Sequence, residues 1–151
     1  MKFFTRKTFF YALLGIFVIM QFFRIDKTNP PVVAELDFIN IMKPSDEISA
    51  MLKAACYDCH SHEVKYPWYT NIAPVSWWVK GHIDHGIGEL NFSEWGNYPA
   101  KKANHKLEES YEKVENKQMP LTSYLIMHSE AKLSEEQRAQ LVDFFKSKMT
   151  E

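Results

Sequence analysis

One short stretch, Cys56-Tyr57-Asp58-Cys59-His60, constrains this chain more than any other. The chain holds two cysteines, and both are here. Two thiols three positions apart, followed at once by a histidine, have the C-x-x-C-H spacing of covalent c-type haem attachment. Each thiol can reach one of the two vinyl groups of a porphyrin and form a thioether. The histidine then lies under the iron as its proximal ligand. Random placement would give this arrangement about 1 time in 2000. The motif therefore predicts one haem c per chain, with Cys56 and Cys59 as the linking residues and His60 as an iron ligand.

Three other chemistries fit two cysteines, each less well. A thioredoxin-like redox pair needs a strand-turn-helix context, whereas the residues before Cys56 have a helical pattern. Zinc held by Cys56, Cys59, His60 and His62 would strain a tetrahedron, and no second Cys/His pair stands at finger spacing. A disulfide closing so short a loop would remove little entropy from the unfolded chain.

The 151 residues suggest one domain with an appendage. Hydrophobic residues make up 46% and aromatic residues 15%, which suffices for a compact core and suits a large flat apolar ligand. The net charge of −1 hides an asymmetry. Residues 1–23 hold three of the 18 basic side chains, Lys2, Arg6 and Lys7, and none of the 19 acidic ones, which leaves 15 against 19 in the remainder. No basic patch points to nucleic acid.

Behind that basic start, Thr8 to Phe23 is an apolar, uncharged run. A basic segment followed by an apolar one is an export signal. No small-residue cleavage site follows, because the next residues are Arg24-Ile25-Asp26-Lys27. The expectation is an uncleaved signal anchor over residues 1–25, spanning the membrane once, with a cleaved signal peptide as the alternative. Both readings export the domain, as c-haem attachment in bacteria requires. Residues 26–35, with Asn29-Pro30-Pro31, read as a stiff linker.

Residues 36–151 read as one helical domain. Ser45 caps a helix that carries Ile48, Met51, Leu52 and Ala55 on one face and runs into Cys56. His62 to Pro74 is an aromatic loop, in which Trp68 and Tyr69 wall the haem or simply cover the core. Val75 to Ile83 predicts a helix, broken near His82, His85, Gly86 and Gly88. A solvated helix follows from Ala100 to about Asn116. The last helix starts at a capping box, Ser134 with Gln137.

Met119-Pro120 lies in a loop downstream of the motif. A thioether on a rigid loop is the usual sixth ligand of an electron-transfer cytochrome, so Met119 is the candidate second iron ligand. Met42, Met51, Met127 and Met149 lie in apolar patterns and read as core. His82 and His85 remain alternatives for the iron.

Together Cys56-Tyr57-Asp58-Cys59-His60-Ser61, Tyr66-Pro67-Trp68-Tyr69, Pro74-Val75-Ser76-Trp77, Leu90-Asn91-Phe92-Ser93-Glu94-Trp95 and Met119-Pro120-Leu121 with Tyr124 and His128 resemble the small bacterial haem-binding domain family, a cytochrome c-like group. The resemblance spans about residues 36–148. It implies an all-α, cytochrome c-like domain with one haem, attached to the cell envelope, with Cys56 and Cys59 linking the haem and His60 axial; Met119 is the matching sixth ligand. The expected role is electron transfer with an envelope redox partner, from the periplasmic side of the bacterial inner membrane. An open sixth iron site would instead give a peroxidase-like enzyme or a haem-based sensor.

Overall fold

The computed structural model describes residues 5–149. Every regular element among them is helical, in line with the all-α expectation. The helices are α1 (Arg6–Met20), α2 (Phe38–Met42), α3 (Asp46–Ala55), α4 (Tyr57–His60), α5 (Val75–Glu89), α6 (Ala100–Glu115), α7 (Thr122–Leu125) and α8 (Glu135–Ser147). Short 3-10 turns at Ala34–Leu36, Trp68–Asn71, Phe92–Asn97 and Ser129–Ala131 join them.

The core forms where the apolar stripes of α3, α6 and α8 meet. Met51 and Leu52 come from α3, Leu107 and Val114 from α6, and Leu141, Val142 and Phe145 from α8. Short elements close it with aromatic rings. Phe38 of α2 sits 4.8 Å from Phe92 and 4.7 Å from Trp95. Caps set the helix starts as the sequence predicts. The Ser45 hydroxyl accepts from the Ile48 N–H, and Ser134 with Gln137 makes both bonds of the capping box.

Two expectations are corrected. The helix begun at Val75 does not break near His82, His85 and Gly86 but runs on to Glu89. The glycines that read as a stop are there for packing at Gly86. A Cβ at that position would lie 2.5 Å from the carbonyl oxygen of Cys59. Met127, expected in the core, is instead 53% exposed.

The apolar N-terminal run also departs from expectation. Lys2 of its basic start lies outside the described residues. The helix in the run, α1, has 15 residues and no buried side chain. Among the described residues no helix is long and apolar enough to cross a membrane, so the predicted spanning segment is not found. The chain turns where polar bonds catch it. The Gln21 side chain donates to the Ala73 carbonyl and accepts from the Ala73 N–H, at 3.1 and 3.0 Å. The Trp77 indole donates to the Phe23 carbonyl at 2.7 Å. The linker residues then lie along the domain, with Lys27 bonded to Asn71 and Asn29 to the Val64 carbonyl.

Candidate functional site

The motif helix α4 is one turn long and divides the molecule. Tyr57 points into the core, 2% exposed, and its ring stacks on Phe92 at 5.2 Å and 8°. Its hydroxyl donates to both carboxylate oxygens of Asp37, at 3.1 and 3.2 Å. The next two residues, Asp58 and Cys59, line a cavity of about 280 Å³ on the other side. Trp68, Tyr69, Val75, Trp78, Val79, Ile83, Leu121 and Met127 give the cavity mainly apolar walls. The aromatic loop therefore walls the cavity through Trp68 and Tyr69.

His60 is fixed from behind. Its Nδ1–H donates to the carbonyls of Gly86 and Leu90, at 2.9 and 3.1 Å. That leaves Nε2 as the nitrogen with a lone pair for a metal. Burial holds its pKa below the ordinary histidine value, so the ring stays neutral and able to ligate. The absence of a side chain at Gly86 lets α5 approach α4 closely enough for these bonds. An added Cβ there would also lie 3.4 Å from Cε1 of His60.

Both cysteines are free thiols. Burial, and then the neighbouring Cys59, pushes Cys56 up to about 12. Burial, and then Asp58, pushes Cys59 up to about 11. Both therefore stay protonated near neutrality. No group of three or more His, Cys, Asp or Glu side chains able to hold a metal ion is found among the described residues. His62 turns away, towards the Pro31 carbonyl and the Asn91 amide, which removes the fourth ligand of the zinc reading.

Of the four residues predicted for the site, Cys59 lines the cavity, whereas Cys56, His60 and Met119 do not. Cys56 packs against the core at the start of α4. Met119 is half-buried, with its N–H donating to the Lys113 carbonyl and its own carbonyl held by Arg138 at 3.0 Å. Its neighbour Leu121 reaches the cavity, as does His82; His85 does not.

Sequence reasoning assigned no role to a polar cluster on the cavity wall. Tyr69 Oη lies 2.7 Å from His128 Nε2, and His128 Nδ1 lies 3.0 Å from Glu130 Oε1. The Tyr124 ring stacks on His128 at 4.1 Å and 10°, and its hydroxyl donates to Asp58 at 2.8 Å. The four-residue spacing of Tyr124 and His128 was a visible sign that they share a face. Tyr69 and Asp58 come from distant segments and carried no such sign.

These features fit a haem: an imidazole with one nitrogen left for a metal, a thiol on the wall of an apolar aromatic cavity, and a second thiol three positions away. The haem-binding domain family matches residues 15–147, and the chain belongs to it. No curated protein and no solved structure matches the chain at a significant level.

Proposed function

We propose that this haem-binding chain holds one c-type haem covalently and carries electrons in the bacterial cell envelope. Cys56 and Cys59 would hold the haem as thioethers, each S–H adding across one vinyl group with no other product. Nε2 of His60 would ligate the iron, and Met119 would supply the second ligand from its loop. When bound, the haem supplies the one-electron chemistry. The chain's own part is to fix the imidazole, keep it neutral and line the site with apolar and aromatic groups that exclude water.

The observation that carries this reading is the pair of bonds from Nδ1 of His60 to the Gly86 and Leu90 carbonyls. A ligating histidine donates its other ring N–H in this way, which orients the ring and leaves the second nitrogen for the metal. The basic start and the apolar run support export, and the working partner is an envelope redox protein.

A second reading has its own support. His82 lines the cavity and Met119 does not, which suits an open sixth iron position and a peroxidase-like or sensing role. The test is the visible spectrum of protein matured with a cytochrome c assembly system, with a pyridine haemochrome. A c-type haemochrome, low-spin, with a weak long-wavelength sulfur-to-iron band that Met119→Ala removes, is the expected result. A high-spin spectrum with steady peroxide turnover would favour the second reading. No haem after proper maturation would overturn both.

A further inference from the structure

His128 is 9% exposed, yet both ring nitrogens are engaged. Tyr69 donates to Nε2 and Nδ1–H donates to Glu130, which fixes the tautomer of the neutral ring. Glu130 opens to water, its side chain 64% exposed, while Tyr69 and His128 face the cavity. A chain of hydrogen bonds thus runs from solvent through Glu130 and His128 to Tyr69 on the wall of the cavity that Cys59 also lines.

Charged and polar groups from several elements face this imidazole. Glu130 comes from the turn after α7, and its own backbone N–H and then His128 hold its pKa below the usual carboxylate range. Asp58 of α4 is bridged to the stacked Tyr124 of α7. Burial raises the pKa of both phenols, so Tyr69 and Tyr124 remain neutral. Two lysines, Lys65 and Lys53, share the outer side of the cluster, and Lys53 is paired with Glu63. An imidazolium would donate Nδ1–H to the Glu130 carboxylate and Nε2–H to the Tyr69 oxygen, which can accept once its own hydrogen turns away. Both positions are ready for the charged form without rearranging the backbone.

We infer that His128 takes up one proton from solvent, by way of Glu130, when the haem site gains one electron from its redox partner, and releases it when that electron leaves. An electron on a haem in this mainly apolar cavity would add one negative charge near the imidazole, and the proton would offset it. This rests on the haem reading above.

The test is the midpoint potential of full-length, haem-loaded protein, followed by its visible spectrum from about pH 5 to about pH 9. Coupling of one proton to one electron makes the potential fall with rising pH, by up to about 59 mV per unit inside the titration window. His128→Gln should flatten that slope. Glu130→Gln, at an exposed position where folding is not at stake, should move the window to lower pH, because the imidazolium loses its anionic partner. A pH-indicating dye should register proton uptake on reduction in wild type and its loss in His128→Gln. A flat wild-type potential, or a slope unchanged in His128→Gln, overturns the inference. A missing haemochrome overturns the haem reading instead, and is seen before any potential is measured.

Discussion

Gly86→Ala tests the packing that places His60. In an open helix, replacing glycine by alanine gains about 1 kcal/mol. At Gly86 the new methyl meets the Cys59 carbonyl oxygen at 2.5 Å and its carbon at 3.3 Å. That neighbour is backbone and cannot swing aside, so α5 must move off α4. Overpacking of this kind costs about 1–3 kcal/mol. The two effects oppose each other, and the net expectation is a loss of up to about 2 kcal/mol. Gly81 and Gly88 lie in the same helix with nothing within 4 Å of an added Cβ. Gly81→Ala and Gly88→Ala should therefore gain stability where Gly86→Ala loses it. Urea unfolding of the unloaded protein measures all three, with the slope of the transition as a check that the unfolded states are alike. Haem-loaded Gly86→Ala should also show a disturbed axial-ligand spectrum, since displacing α5 lengthens the bonds from Nδ1 of His60. Equal stability of Gly86→Ala and Gly88→Ala would refute the claim that contact with α4 requires a glycine.

Three further outcomes concern α4 and its two cysteines. Tyr57→Phe strips a buried Asp37 carboxylate of its phenol donor and leaves it the Ile39 N–H, 3.0 Å away; the expected loss is about 1.5–3 kcal/mol in urea unfolding. Before haem attachment, thiols raised to about 12 and 11 should react with iodoacetamide at pH 8 at least about tenfold more slowly in the folded protein than in denaturant. Because the unfolded thiols ionise first, the unloaded protein should also lose stability as pH rises through the range from 9 towards 11, and the thioether-linked protein should not.

Local signals were read well from sequence. The capped helix into Cys56, the capping box at Ser134 and the solvated helix from Ala100 depend on side chains within one turn of each other, and all three form. Failures came where a distant partner decided the outcome. Gly86 reads as a helix stop until Cys59 is seen to pack on it, and a glycine inside a helix is tolerated when a close approach repays it. The apolar run reads as a membrane span, but its helix covers only Arg6–Met20, and no helix among the described residues is long and apolar enough to cross a membrane. Met127 reads as core because its neighbours are apolar, although it faces a cavity instead. The C-x-x-C-H spacing pointed to Cys56, Cys59 and His60, of which Cys59 lines the cavity. It could not show that His128, about 70 positions later, would join Tyr69 on the cavity wall.

The position of α4 explains why so short a helix governs so much. Its residues alternate between two environments within a single turn. Tyr57 is anchored in the aromatic core by Phe92 and Asp37, and Ser61, fully buried, closes the turn by donating to the Tyr57 carbonyl at 2.7 Å. Asp58 and Cys59 face the cavity, and His60 is clamped to α5. Core packing therefore sets the orientation of the motif before any haem arrives, and an attached haem would inherit the rigidity of Phe38, Phe92 and Trp95. In this arrangement the two unnamed positions of C-x-x-C-H are not spacers. Tyr57 fastens the motif to the core, and Asp58, through Tyr124, fastens it to the cluster around His128. A swap of Tyr57 with Asp58 would keep the haem motif intact while burying a carboxylate among Phe38 and Phe92, and the chain should then fail to fold rather than merely fail to bind.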